Sequence, residues 1–139
     1  MKFKAAGVIL SLLILLIIAS CVGNESIEFK RYYSIGATVY QFHCQNCHGI
    51  KGEGLSALIP PLTDSAYLRK SKLLLACYLQ SGMKGPVEVN GKKYDDSMPA
   101  AGINNMKTAQ VLTYITNSFG NKLGLITEED VERDLIKCK

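Results

Sequence analysis

The stretch His43–Gly54, "HCQNCHGIKGEG", carries most of the information in this sequence. Two cysteines stand three positions apart, a histidine follows the second one directly, and a glycine-rich segment comes next. Cysteines and histidines with this spacing serve three kinds of chemistry: a zinc site, a dithiol that exchanges disulfides, or the covalent attachment of a haem. The surrounding sequence bears on the choice between them.

A structural zinc site takes four Cys or His ligands, commonly as two pairs, and Cys44 and Cys47 have no second pair. A thioredoxin-like motif follows a strand, whereas the residues before Cys44 have helical periodicity. Cys-x-x-Cys-His is the signature of c-type haem attachment, because two thioethers fix the porphyrin and hold the adjacent His48 beneath the iron. Haem attachment is therefore favoured, with zinc or dithiol chemistry as the alternative.

The N-terminus has the composition of an export signal. Two lysines precede an apolar run at 5–19, and small residues lead to Cys21. Residues 18–20 before Cys21 resemble the bacterial lipobox, which implies cleavage before this cysteine and its lipidation. The alternative is an uncleaved membrane helix, since residues 5–23 nearly reach the length of about 20 residues that spans a bilayer.

We therefore divide the chain into a lipoprotein signal peptide at 1–20, a lipid-anchored tether at 21–30, and one domain at 31–139 with a C-terminal helical extension. Without the signal peptide, 14 basic residues face 12 acidic ones, for a net charge of +2. The basic residues are scattered among acids, which gives no footprint for nucleic acid. We expect an exported, periplasm-facing protein. Val22 lacks the aspartate that commonly retains lipoproteins at the inner membrane, which slightly favours the outer membrane.

A helix is predicted ahead of the cysteines. Ile35, Val39 and Phe42 recur at i, i+4 and i+7, as in an apolar stripe on a helix of about three turns. Gly36 lies beside this stripe, although a glycine inside a helix costs about 1 kcal/mol relative to alanine. Close approach of a second helix, Val111–Phe119, would offset that cost; the alternative is a glycine that is merely tolerated.

Local signals place the remaining elements. Thr63 or Asp64 is a candidate helix cap, and Gly82 ends the segment that follows, which fits one or two helices. Asn90-Gly91 lies between short alternating runs and predicts a hairpin with a type I′ turn. Thr127, followed by acidic residues, starts a final helix.

Over roughly residues 34–120 the sequence resembles the class I monohaem cytochromes c. The matching features are Gly36 and Tyr40 ahead of Cys44, the CQNCHG motif, PPL at 60–62, SMP at 97–99 and VLTYI at 111–115. The segment "GPVEVNGKKY" resembles an insertion found in many bacterial members. The resemblance implies an all-α fold, with three to five helices around one covalent haem c and a small β-hairpin insertion.

The resemblance also implies a set of site residues. Cys44 and Cys47 would form the thioethers to the haem, and His48 would be the proximal ligand of the iron. The carbonyl of Pro60 would accept the ring N–H of His48, and Met98 would be the distal ligand.

The sixth ligand bears most directly on function. Met83, Met98 and Met106 are the candidates outside the signal peptide, and a methionine is usually core filler. Met98 departs from that rule because it lies in a polar loop beside Pro99, which stiffens the backbone. Met83 is the next candidate.

Histidine–methionine ligation raises the reduction potential and leaves no open site on the iron. It predicts an electron carrier that is not an enzyme and has no small-molecule substrate. Its partners would be redox proteins such as an oxidase, a reductase or a quinol-oxidising complex, and its membrane contact would be the lipid. A haem-based binder or sensor of small ligands, with a displaceable sixth ligand, is the alternative.

Cys77 and Cys138 are left over by the haem and the lipid. An exported protein with two spare thiols predicts a disulfide, which would staple the C-terminal helix to the domain. The alternative is two unrelated thiols.

Overall fold

The computed structural model describes residues 26–138. The predicted signal peptide at 1–20, the lipidation of Cys21 and the tether up to residue 25 lie outside the described residues. Within residues 26–138, no helix combines the length and the apolar character needed to cross a membrane.

Residues 26–138 are mainly helical, with one small hairpin. The elements are α1 (Ile27–His43), α2 (Gln45–His48), α3 (Ser65–Lys70), a 3-10 helix (Lys72–Leu74), α4 (Leu75–Ser81), β1 (Val87–Val89), β2 (Lys92–Tyr94), α5 (Asn105–Ile115) and α6 (Glu128–Leu135). The predicted all-α class with a hairpin insertion is confirmed.

Helix α1 is longer than predicted. The Ser26 side chain caps it by accepting a hydrogen bond from the Phe29 N–H at 3.0 Å, and the helix runs for 17 residues. Residues 27–30 are therefore helical, although the sequence assigned them to the tether. The helix begins four residues ahead of Arg31, where the domain was expected to start.

The predicted apolar stripe of α1 was wrong in two of its three members. Val39 is buried, but Ile35 is 41% and Phe42 is 74% exposed. The buried face instead centres on Gly36, with Tyr32 and Tyr40 one turn to either side. Close helix packing at the glycine sets which face of α1 is covered.

The predicted close approach at Gly36 is confirmed. A Cβ added to Gly36 would collide with the backbone carbonyl of Gln110 in α5 and would lie 3.0 Å from the Cβ of Tyr114. The bounds of this partner helix differ from the predicted Val111–Phe119. Asn104 caps α5 by accepting from the Lys107 N–H at 2.9 Å, and Phe119 has a φ of +57°, outside any right-handed helix.

The middle of the chain follows its local signals. Asp64 caps α3, and Gly82, with a φ of +76°, ends α4. In the hairpin, Val87 pairs with Tyr94 and Val89 pairs with Lys92. The intervening Asn90 and Gly91 have φ values of +52° and +70°, as the predicted type I′ turn requires.

Helix α6 packs onto the domain through a disulfide and a buried face. A reciprocal pair of hydrogen bonds between Thr127 and Asp130 caps the helix, and Val131 is buried in the core. Cys138, just past the helix, is bonded to Cys77 of α4 with a Cα–Cα distance of 5.6 Å. The two bonded cysteines are the two that the sequence left over.

Candidate functional site

The helices enclose an apolar cavity of about 390 Å³. This volume lies within the range of about 300–1,000 Å³ that is usual for small-molecule and cofactor sites. Its apolar walls come from α3, α4 and α5, through Leu68, Leu75, Leu79, Leu112 and Ile115. Helices that are distant in sequence thus line the same hydrophobic cavity.

The Cys-x-x-Cys-His motif lies at the edge of this cavity. Helix α1 ends at His43, and the short helix α2 begins directly after Cys44. The N–H groups of Cys47 and His48 donate to the carbonyl of Cys44 at 3.2 and 2.9 Å, so the motif forms a single tight turn. The side chains of Cys44, Cys47 and His48 all line the cavity, and the exposed His43 lies at its rim.

The two cysteines of the motif form no disulfide with each other; Cys44 is buried and Cys47 is exposed. Burial, with a smaller contribution from Cys47, raises the pKa of the Cys44 thiol to about 11. Disulfide-exchange motifs depend on the opposite shift, because the thiolate is the nucleophile. The buried Cys44 has neither the access nor the lowered pKa that such a motif uses, so its environment gives the dithiol alternative no support.

His48 is held in one orientation by Pro60. Its Nδ1 lies 3.1 Å from the carbonyl oxygen of Pro60, the contact implied by the Pro-x-Leu pattern. Burial lowers the pKa of His48, and the Pro60 carbonyl opposes this shift only in part. A neutral imidazole that donates its Nδ1–H to a carbonyl leaves Nε2 free to bind a metal.

The loop that carries Pro60 is folded back by backbone hydrogen bonds. The N–H of Gly54 donates to the carbonyl of His48 at 2.8 Å, and the N–H of Leu62 donates to the carbonyl of Gly52 at 2.7 Å. Gly54 has a φ of +71°, which glycine adopts at little cost. These bonds bring the proline carbonyl within hydrogen-bonding distance of the His48 Nδ1.

Met83 and Met98 pair with each other across the cavity wall. Each backbone N–H donates to the carbonyl of the other residue, at 2.8 and 3.0 Å, in an isolated antiparallel bridge. Directly opposed residues of such a pair project their side chains from the same face. Both methionines line the cavity, whereas Met106 packs against the core on α5. The structure brings the two leading candidates for the sixth ligand together.

Several cavity residues were missed by sequence reasoning. Tyr67 and Tyr78 line the cavity from α3 and α4, and Val89 lines it from the hairpin. Burial raises the pKa of the Tyr67 phenol, while a hydrogen bond with Ser71 lowers it. The spacing of the apolar residues within 67–79 indicates a buried helical face, but nothing local identifies what that face contacts.

Zinc binding has no support in the described part of the chain. Among residues 26–138, no group of three or more His, Cys, Asp or Glu side chains is placed to hold a metal ion. His48 with two thiols at the edge of an apolar cavity fits a macrocycle that supplies its own nitrogen ligands better than it fits a bare ion.

Comparison with known proteins adds one finding. A family model described as cytochrome c matches residues 33–118, which is 86 of the 139 residues. No curated protein matches the chain. The matched range contains the Cys-x-x-Cys-His motif, Pro60, both cavity methionines and the hairpin, and it ends before α6.

Proposed function

The chain belongs to the cytochrome c family, and on that premise we propose that it carries single electrons through a haem c ligated by His48 and Met98, outside the cytoplasmic membrane. Covalent haem c, typically one in a single-domain member, haem-based electron transfer and interaction with redox partner proteins are general properties of the family. The identity of the axial ligands, the lipid anchor on Cys21, the location and the absence of enzymatic activity belong to the proposal.

The residues at the cavity fit a covalent haem. Cys44 and Cys47 would hold it as thioethers, and the Nε2 of the oriented, neutral His48 would bind its iron. When bound, the haem supplies a reversible one-electron couple. The chain orients the proximal ligand through Pro60 and excludes water with the apolar side chains of α3, α4 and α5.

Met98 is the proposed distal ligand because its backbone is held on both sides. The bridge to Met83 fixes Met98 itself, and Pro99 restricts the next residue. Just beyond, the N–H of Ala101 donates to the carbonyl of Leu79 at 2.8 Å. Met98 also packs against the hydrophobic core, so its sulfur would be presented at a defined depth.

The observation that carries the proposal is that His48 and Met98 line one apolar cavity that also contains both attachment cysteines. An iron with both axial positions filled by the protein has no open site for a substrate. Electron transfer through the haem edge to docked redox proteins is then the function, and an oxidase, a reductase or a quinol-oxidising complex is the class of partner.

The test uses the purified holoprotein and two variants. The oxidised protein should have a sulfur-to-iron charge-transfer band, and the reduced protein should not bind carbon monoxide. Met98→Ala should lose the band, lower the midpoint potential and open a site for carbon monoxide, because a thioether favours ferrous iron. Met83→Ala is the matched control and should retain the band.

Each other outcome has a definite meaning. A band lost in Met83→Ala and kept in Met98→Ala would make Met83 the ligand. Tight binding of carbon monoxide by the unmodified reduced protein would favour the ligand binder or sensor. A protein without a Soret band would contradict haem attachment altogether.

A further inference from the structure

Asp64 makes two separate connections with its two carboxylate oxygens. Oδ1 accepts hydrogen bonds from the N–H groups of Ala66 and Tyr67 at 2.9 and 3.0 Å, which caps α3. Oδ2 accepts from the N–H of Asn90 at 3.1 Å, and Asn90 lies in the hairpin turn, 26 residues away in sequence. One side chain therefore joins the start of a cavity helix to the tip of the hairpin.

The hairpin belongs to a closed segment, residues 83–98, which we call the flap. Its base is the Met83–Met98 bridge, and its tip is the turn bonded to Asp64. Besides the two methionines, its residues Val87 and Val89 line the cavity, and Val89 is only 2% exposed. The flap is thus both a wall of the haem cavity and the segment that ends at the proposed distal ligand.

We propose that Asp64 is a positioning residue for the haem, which fastens the tip of the flap and thereby keeps water out of the cavity and Met98 in place. The inference rests on the proposed function, since it concerns the environment of the haem and its distal ligand. Asp64 itself does not line the cavity wall and acts through the hairpin.

The proposed role predicts the direction in which the midpoint potential changes when Asp64 is replaced. Hydrogen bonds to a carboxylate are roughly twice as strong as neutral ones. Loss of the bond between Asp64 and the Asn90 N–H should therefore let the hairpin tip open more often. Water that enters the cavity stabilises the more highly charged oxidised haem and lowers the midpoint potential. Loss of a nearby negative charge alone has the opposite effect, because the carboxylate also stabilises the oxidised form.

The decisive variant is Asp64→Ser in the holoprotein. Serine is a good N-cap, so it keeps the start of α3, but its single oxygen sits on a shorter side chain and is engaged by the helix. Asp95→Ser is the matched control, because it also removes one carboxylate, from the flap itself. Asp95 pairs with Lys93 at 3.7 Å on the exposed side of the hairpin.

In Asp64→Ser, hydrogen exchange of the Asn90 amide should accelerate about tenfold or more. The midpoint potential should fall, and the sulfur-to-iron band should weaken. In Asp95→Ser, the exchange rate at Asn90 and the band should stay as they are, and the potential should be unchanged or slightly higher.

A midpoint potential that rises in Asp64→Ser would overturn the proposal. So would a midpoint potential that changes as in Asp95→Ser while the Asn90 amide keeps its protection against hydrogen exchange. If Asp64→Ser does not accumulate with haem, Asp64→Asn decides by the same two measurements. Its amide oxygen keeps the cap, and its NH₂ group cannot accept from Asn90. Failure of the proposed function would be recognised separately, by the absence of the sulfur-to-iron band from the unmodified protein.

Discussion

Gly36 of α1 lies directly against the backbone carbonyl of Gln110 in α5. This contact sets the distance between α1, which precedes the Cys-x-x-Cys-His motif, and α5, which lines the cavity. Around it, the ring of Tyr114 packs at 5.3 Å from Tyr40 and 5.1 Å from Tyr33, between ring centres. Helix α1 leads directly into the attachment motif, and α5 contributes part of the cavity wall, so this contact sets the position of the motif relative to that wall.

Gly36→Ala should destabilise the protein. The new methyl group meets a backbone carbonyl that cannot rotate away, and overpacking of this kind costs about 1–3 kcal/mol. The gain in helix propensity, about 1 kcal/mol, offsets only part of that cost. Denaturant unfolding of the holoprotein measures the difference. Thr38→Ala, at an exposed position of the same helix, is the control and should be neutral or stabilising; equal stability of both variants would refute the close contact.

The sequence predicted correctly those features that depend on one residue and its immediate neighbours in the chain. Asp64 and Thr127 cap helices, Gly82 ends one, and Asn90-Gly91 turns the hairpin, because these roles depend on the backbone of a few neighbouring residues. The apolar stripe of α1 failed for the opposite reason. Which face of α1 is covered depends on the helices that pack against it, and periodicity within α1 carries no information about them.

The same division applies to the site. The Cys-x-x-Cys-His motif is contiguous, and the contact of His48 with Pro60 spans only 12 positions, so its spacing is recognisable in the sequence. The pairing of Met83 with Met98 and the second bond of Asp64 join segments that only the folded hairpin brings together. Such contacts have no signature in one sequence.

The disulfide predicts a count of reactive thiols. In the mature holoprotein, Cys21 would carry the lipid, Cys44 and Cys47 would be thioethers, and Cys77 would be bonded to Cys138. Alkylation of the denatured, unreduced protein should therefore modify no cysteine. Two modified cysteines, identified as Cys77 and Cys138 by peptide mapping, would show that the bond is absent in the isolated protein.

Cys138→Ser should also loosen α6. A bond that closes a loop of about 60 residues contributes about 4 kcal/mol in the chain-entropy model, and less here because the haem already constrains the unfolded chain. Faster hydrogen exchange in Glu128–Leu135, with α1 and α5 unchanged, is the expected pattern. Loss of protection throughout the protein would instead mean that α6 is part of the cooperative core.

Helix α6 should also respond to acid. The N–H of Thr127 donates to Asp130 at 3.0 Å, and this bond, followed by the contact with Arg133, lowers the pKa of the Asp130 carboxyl from its usual value, against opposing desolvation. Because the folded pKa is depressed, the stabilisation is complete above the unfolded pKa and is lost as the pH falls through the folded value. The protection factors of the α6 amides, which compare exchange with the intrinsic rate at the same pH, should therefore fall below about pH 4.

Asp130→Asn is the control for this acid response. Its amide cannot titrate in this range, so the protection factors in the first turn of α6 should depend less on pH between about 4 and 2 than they do in the unmodified protein. A variant that keeps the wild-type pH profile would assign the acid response to other carboxylates, and Asp130 would then have no special role.

The start of α1 limits how far the domain can lie from a lipid on Cys21. Since the helix begins at Ile27, the five residues between them span at most about 20 Å when fully extended. A lipoprotein with several acyl chains is held stably, whereas one chain gives only reversible binding. The haem domain should therefore work close to the membrane surface.

Cys21→Ser tests this anchor. It should abolish labelling by fatty acids and either release a folded, red protein into the soluble fraction or leave an uncleaved precursor in the membrane, which differ in mass by the signal peptide. Cys77→Ser removes a cysteine that the lipid does not need, so it should remain labelled and membrane-bound. If Cys21→Ser keeps both its labelling and its fractionation, the anchor lies elsewhere in the chain and the short distance to the membrane no longer follows.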